Sequence, residues 1–312
     1  MVFQDGGTGS TVNATVANSY ADTVAITFVG SSSDVFNINA PSGSTVSLAN
    51  YTKLGTGTLA LSSVGSGGNT LTGSATAATS ITGGAGVDNI TGGAGADTIT
   101  GAGGADSISP GAGSDTVYFG TNSGSDTVYL ATTALNTGTV GDGATDHVQW
   151  NFVTATALAI ATAAVKTIYG FEAGTGTDVI EFKYGLLNSA TAATSSIATA
   201  AYTAQELATN ANFIGSVAAA ASNAFIEITG TGNLNATGVA GGATSVAALI
   251  TGTVDTFMKV IFSVDDGTDS YLWFFNGVTG ATATQVEASE LTLIGIVKGV
   301  NDFGAGDFAV VA

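Results

Sequence analysis

A chain of 312 residues with 5 basic residues, all of them Lys, against 23 acidic ones has a formal net charge of −18. Such a surface repels phosphate, which excludes nucleic acid and anionic membranes as natural partners. Cysteine is absent, so disulfides and thiolate metal sites are excluded as well. With 45% hydrophobic and only 9% charged residues, the chain is too apolar to stay disordered in the presence of a counter-cation. The length allows one elongated body or two domains. The start, Met1-Val-Phe-Gln-Asp, shows neither a basic nor an apolar leader segment and reads as the interior of a longer polypeptide. The apolar run nearest to a membrane span, around 157–165, is broken by threonines, so no membrane span is expected.

Residues 1–82 are rich in Thr, Ser, Gly and Val. Short alternating segments begin at Val24, Val35, Val46 and Leu59, each bounded by Gly, Ser, Asn or Pro41. Their spacing, near eleven residues, predicts an irregular β-solenoid. Gly67-Gly-Asn69-Thr-Leu71 carries Asn where the following segments carry Asp, and Thr79 takes the same place in 74–82. Those turns are expected to keep the coil geometry without complete ion sites.

From residue 83 the pattern becomes regular. Gly83-Gly-Ala-Gly-Val-Asp88-Asn-Ile90-Thr is followed by Gly92-Gly-Ala-Gly-Ala-Asp97-Thr-Ile99-Thr. Next come Gly101-Ala-Gly-Gly-Ala-Asp106-Ser-Ile108-Ser and Pro110-Gly-Ala-Gly-Ser-Asp115-Thr-Val117-Tyr. A flexible Gly/Ala linker has no reason to hold Asp and Ile in phase over four repeats. Nine residues supply one tight turn and one short strand, so two repeats close a coil of eighteen. Asp88 and Asp106 then stack on one edge of the coil, and Asp97 and Asp115 on the other. Stacked strands lie about 4.7–4.9 Å apart. One calcium with bonds of about 2.3–2.6 Å bridges oxygens roughly 4.6–5.2 Å apart. A calcium therefore fits between neighbouring turns. Gly84, Gly86, Gly93, Gly95, Gly101, Gly103, Gly111 and Gly113 are expected to adopt positive φ and turn backbone carbonyls inward as further ligands. Ile and Val face a narrow core, and the Thr and Ser beside them face water.

Beyond Asp115 the strands change. Val117-Tyr-Phe119 and Val128-Tyr-Leu130 are apolar at every position, which predicts burial on both faces and a later part of the chain packed against them. Ser123-Gly-Ser-Asp126-Thr-Val128 continues the motif after a two-residue insertion, and Gly143-Ala-Thr-Asp146-His147-Val148 is a further variant. His147, the one histidine, sits at a strand position and reads as a packed or solvent-facing residue rather than a zinc ligand. Ile168-Tyr-Gly-Phe171 precedes Gly174-Thr-Gly-Thr-Asp178-Val-Ile180-Glu-Phe182, placing Asp178 as another candidate ligand. Thr203-Ala-Gln-Glu206 has the form of a capping box and predicts a short helix to about Asn212, extended by the alanine run 217–221. Strands return at Phe225, Thr256, Ser270 and Glu290. The stretch Asp265-Asp-Gly-Thr-Asp269 reads as a solvated hairpin turn rather than a metal site.

No catalytic site is legible, and the chain is not expected to be an enzyme. One histidine rules out His-Glu-x-x-His. Gly-x-Ser-x-Gly, the phosphate-binding Gly-x-x-x-x-Gly-Lys and the dinucleotide Gly-x-Gly-x-x-Gly are all missing.

The nonapeptides at 83–118 and the 168–182 motif resemble those of RTX proteins, exported bacterial proteins with calcium-binding repeats. The tail that follows Asp307, Phe308-Ala-Val-Val-Ala312, is uncharged and similar to a type I secretion signal, and reads equally as a last strand. Together with low Lys and absent Cys, the chain looks most like an RTX-type surface-layer protein. The resemblance implies an all-β fold: a right-handed parallel β-helix, or calcium β-roll, with a C-terminal β-rich region carrying a short helix. It divides the chain into an irregular solenoid over 1–82, a roll with variant repeats over 83–185 and a β-rich end over 186–312. It implies several Ca2+ ions held by Asp88, Asp97, Asp106, Asp115, Asp126, Asp178 and the glycines above, with Asn69 and Asp146 as variant positions. It also implies secretion to the cell surface. The partners would be copies of itself, the type I secretion machinery and a cell-surface polysaccharide. The alternatives are the calcium-folding secretion module of an exported hydrolase and the anchoring end of an RTX adhesin.

Overall fold

The computed structural model describes residues 35–55, 58–119, 124–130, 142–150, 164–174, 177–183, 259–276, 288–304 and 306–311 and, outside these, a set of short strands. The expected helix extension at 217–221, the segment Val24–Ile26 and most of 157–165 lie outside the described residues. The chain forms two compact units, Met1–Gln149 and Trp150–Ala312.

The first unit is a parallel β-solenoid. Its early coils contribute three strands each. Val2–Gln4 pairs with Thr27–Gly30, and that with Thr52–Gly55; Thr11–Thr15 pairs with Val35–Ala40, and that with Thr58–Ser63; Ser19–Tyr20 pairs with Thr45–Ser47. From residue 79 each coil has two strands, as the nonapeptide spacing predicts. Thr79–Thr82, Thr98–Thr100 and Thr116–Phe119 stack on one side. Thr70–Thr72, Asn89–Ala94, Ser107–Ala112 and Thr127–Tyr129 stack on the other. Registers align Ile81 with Ile99 and Val117, and Leu71 with Ile90, Ile108 and Val128. These residues are at most 1% exposed and form two aliphatic columns. Thr98 and Asn89, one position earlier, are exposed. β-branched residues suit this half-buried pleat, and the strand phase read from the sequence is the one observed.

One expectation for these strands is corrected. Val117, Phe119, Val128 and Leu130 are buried, but Tyr118 and Tyr129 are only partly covered. The strands alternate rather than being sealed on both faces. Tyrosine permits this because its ring can lie on apolar surface while its hydroxyl stays wet.

The second unit holds a mixed sheet in the order Gln205–Ala208, Phe225–Thr229, Lys259–Asp265, Ser270–Asn276, Leu291–Lys298, Lys166–Tyr169. The expected hairpin is present, with Lys259–Asp265 antiparallel to Ser270–Asn276. Val179–Lys183 pairs in parallel with Phe308–Val311, so the C-terminal tail is a strand. Trp150 stacks on Phe182 at 5.3 Å, and Phe303 contacts both Phe171 and Phe308. The short helix is a second correction. Gln205–Ala208, inside the capping-box segment, is a strand paired in parallel with Phe225–Thr229. A four-residue start gains too little from a cap to offset helix nucleation, and sheet pairing overrides a weak helix preference. Among the described residues, a short helical turn forms instead at Ala288–Glu290.

Candidate calcium rows

Asp88, Asp97, Asp106, Asp115, Asp126 and Asp146 are each no more than 2% exposed, although each lies at a turn edge. One repeating hydrogen bond holds them. In each, Oδ1 accepts the backbone N–H of the matching residue one coil earlier. Asp106 accepts from Asp88 at 2.8 Å and Asp126 from Asp106 at 3.0 Å. Asp97 accepts from Thr79 at 2.6 Å, Asp115 from Asp97 at 2.7 Å and Asp146 from Asp115 at 2.8 Å. Asp88 accepts from Asn69 at 2.7 Å. The carboxylates thus form two rows. The first runs Asn69, Asp88, Asp106, Asp126, and the second Thr79, Asp97, Asp115, Asp146. The pairing expected from the nine-residue alternation is present, and the two variant repeats join it despite their longer spacings.

The second oxygens decide what the rows can hold. Asp97 Oδ2 and Asp115 Oδ2 are buried and accept no hydrogen bond from the described residues. An unpartnered carboxylate oxygen away from water is costly. Burial pushes Asp97 up to about 6, against the Thr79 N–H that pulls it down. Burial likewise pushes Asp115 up to about 7, against the Asp97 N–H, and the charges of Asp97 and Asp142 push the same way. Each group asks for a cation or a proton.

Glycine keeps the space beside these oxygens open. A Cβ on Gly92 would lie 2.6 Å from Asp97 Oδ2 and 2.0 Å from the carbonyl oxygen of Pro110. On Gly83 it would lie 2.6 Å from Asp88 Oδ2 and 2.3 Å from the carbonyl oxygen of Gly101. In each case a carboxylate and a carbonyl of the next coil lie within 2.6 Å of one point, closer together than the roughly 5.2 Å that one calcium can bridge. Among the described residues no three His, Cys, Asp or Glu side chains converge as a metal cluster. Backbone carbonyls and water would supply the remaining ligands. Calcium, which takes about 6–8 oxygens in flexible geometry, accepts such a set. The residues fit the ion: Asp97 and Asp115 would hold it in one row, Asp88, Asp106 and Asp126 in the other, with carbonyls of the glycine turns completing the shell.

Half of the glycine expectations are corrected. Gly93, Gly95, Gly111 and Gly113 have the expected positive φ, between 110° and 127°. Gly84, Gly86, Gly101 and Gly103 do not; in the third repeat the left-handed residues are Ala102 (φ 72°) and Gly104 (φ 105°). In the second, third and fourth repeats the left-handed positions fall four and two residues before the Asp; in the first, Gly84 and Gly86 hold those places without positive φ. Gly84 instead donates its N–H to Asp88 Oδ2 at 2.7 Å, and Gly103 donates to Gly84 O at 2.9 Å. Gly86 packs against the backbone of Gly67, and Gly101 makes room for Asp106 Oδ2.

Other positions resolve as follows. Asp178 is buried in a turn of the second unit, where its Oδ2 accepts the Glu172 N–H at 2.8 Å. His147 lies on the outward face of its strand, half-buried, and its N–H donates to Asp115 O. The stretch 265–269 is a turn in which Asp266 Oδ1 accepts the N–H groups of Thr268 and Asp269, and Asp269 pairs with Lys298. Two acids escaped the sequence reading. Asp142 accepts N–H bonds from Gly113 at 3.0 Å and Ala144 at 2.8 Å; its place four residues before Asp146 was the available signal. Asp307, fully buried, accepts the N–H groups of Gly174 and Gly304 and clamps the last strand, a contact across 133 residues that no local pattern shows.

Residues 82–117 match the RTX calcium-binding nonapeptide repeat, in four copies. This segment is a calcium-binding repeat array of the RTX class, set in a parallel β-solenoid. No curated protein and no solved structure matches the chain. Repeats of this class are typical of secreted proteins, which supports an extracellular location. Among the described residues no helix is long and apolar enough to cross a membrane.

Proposed function

We propose that this chain is a structural protein of a calcium-dependent bacterial surface layer, exported unfolded by a type I system and assembled outside the cell, with no catalytic role. The observation that carries this reading is the pair of buried carboxylate rows, in which the unpartnered Oδ2 atoms of Asp97 and Asp115 make the folded roll costly until a cation arrives. In a calcium-poor cytosol the roll stays open, and the tail Phe308–Val311 is available to the secretion machinery rather than paired as a strand. Outside, extracellular calcium modules bind at about 10⁻⁴–10⁻³ M, and the binding free energy becomes folding free energy. Bound calcium also offsets part of the −18 charge, which lowers the repulsion between copies packed side by side. A cell-surface polysaccharide is the natural attachment for such a coat.

The test is a calcium titration of the full chain followed by circular dichroism, light scattering and electron microscopy. Calcium-dependent β structure followed by ordered sheets supports the proposal. A β signal already complete in excess chelator ends the folding part. A chain that folds with calcium yet stays monomeric at high concentration is instead a secretion module or an adhesin end.

A further inference from the structure

The carboxylate rows end in a built way. Where the first row would have one more Asp stands Asn69, 3% exposed. Its Oδ1 accepts the Ser44 N–H at 2.9 Å, as each Asp Oδ1 accepts from the coil before it. Its Nδ2 lies 2.6 Å from Ser63 Oγ, 2.9 Å from Gly67 O and 3.1 Å from Asp88 Oδ1. Three oxygens converge on one nitrogen that has two hydrogens to give. A neutral donor thus stands where the Asp residues carry Oδ2, and the oxygens facing it are satisfied without an ion. In the second row Thr79 closes the series without charge. Its Oγ1 donates to Ala77 O at 3.2 Å and accepts the Ser74 N–H at 3.1 Å, while its own N–H serves Asp97.

The change coincides with a change of core. The coils before Thr82 bury Phe36, Ile38, Leu48, Tyr51, Leu59 and Leu61, with Phe36 stacked on Tyr51. Ser44, Asn69, Ser74 and Thr79, buried there, hydrogen-bond within the protein, while the buried Tyr51 hydroxyl finds no partner among the described residues. The strands Asn89–Ala94, Thr98–Thr100 and Ser107–Ala112 that follow bury a single Ile each, and each turn buries one carboxylate.

We infer that Asn69 and Thr79 are protein-made plugs that end the two ion rows, Asn69 by giving its amide hydrogens to oxygens that would otherwise need a further cation. The solenoid up to residue 82 then folds without calcium and presents a finished edge to which the calcium-dependent coils add. In a stacked fold each coil gains only from its neighbours, so a preformed edge removes the costly first step. This inference rests on the calcium reading of the rows.

Hydrogen exchange by mass spectrometry on the full chain, in excess chelator and in millimolar calcium, tests it. We expect amides over 58–82 to be protected in chelator, those over 88–128 to exchange freely, and calcium to protect the second group. Asn69→Asp removes the amide hydrogens and sets a carboxylate oxygen against those three oxygens, which then need a cation. It should lose protection over 63–72 in chelator, regain it in calcium, and bind one more calcium per chain in equilibrium dialysis. Calcium-responsive 88–128 with 58–82 unprotected in chelator overturns the plug inference alone. So does Asn69→Asp with wild-type protection and wild-type stoichiometry. No calcium response at 88–128 overturns the calcium reading and the plugs together. Should the variant fail to accumulate, the wild-type exchange pattern decides by itself.

Discussion

Asp97→Asn should act in opposite directions with and without calcium. The substitution keeps an oxygen for the Thr79 N–H and replaces the unpartnered, buried Oδ2 by an amide nitrogen. Burial raises this carboxyl from 3.8 to about 6. At about 1.36 kcal/mol per unit, keeping it charged at neutral pH costs the calcium-free fold roughly 3 kcal/mol. Removing the charge therefore favours the calcium-free roll by up to about a hundredfold in its folding equilibrium. In calcium the same change removes a ligand and weakens binding. The assay is far-ultraviolet circular dichroism in excess chelator and in millimolar calcium. The calcium-induced increment should shrink from both ends, with more β signal in chelator and a higher calcium midpoint. The pH dependence has the matching sign. A carboxyl whose folded pKa is raised contributes stability below its unfolded value, lost as pH rises through about 6 for Asp97 and about 7 for Asp115. In chelator the wild-type β signal should grow as pH falls from 8 towards 5, and Asp97→Asn should show less of that growth. Equal loss of β signal in chelator and in calcium would refute the reasoning, leaving Asp97 a structural acceptor.

Gly92→Ala, which sets a Cβ 2.0 Å from Pro110 O and 2.6 Å from Asp97 Oδ2, should cost about 1–3 kcal/mol and raise the calcium midpoint. Gly143→Ala, at φ 79° with nothing within 4 Å of the new Cβ, should cost only the left-handed strain of about 1–2 kcal/mol; equal calcium midpoints for the two variants would count against the cradle. Ile99→Asp places an unpaired carboxylate in the aliphatic column and should abolish the calcium-induced β signal that Thr98→Asp, on the exposed face, retains. Ala102→Gly relieves a left-handed alanine and should stabilise the calcium-loaded roll by roughly 0.5–1 kcal/mol in urea unfolding; a destabilisation would contradict the turn phase.

The roll was legible because its chemistry is local and periodic. Nine-residue phase places Ile99 inward, Thr98 outward and Asp97 over Asp115 without any distant contact. Counting glycines rather than counting back from the Asp misplaced the left-handed residues of the third repeat, where Ala102 does a glycine's task. The Thr203–Glu206 segment misled because a capping box is a local preference, whereas strand Gln205–Ala208 is set by pairing with Phe225–Thr229. Tyr118 and Tyr129 misled because an apolar label hides a wettable hydroxyl. Asp307 could not be found from the sequence, since its partner Gly174 lies 133 residues away.

Anomalous scattering from crystals grown in millimolar calcium, recorded at a calcium-sensitive wavelength, tests the central claim most directly. The account predicts two rows of peaks, one beside Asp88, Asp106 and Asp126 and one beside Asp97, Asp115 and Asp146, with neither row extending past Asn69 or Thr79. A folded roll with no anomalous peak between these carboxylates would contradict it.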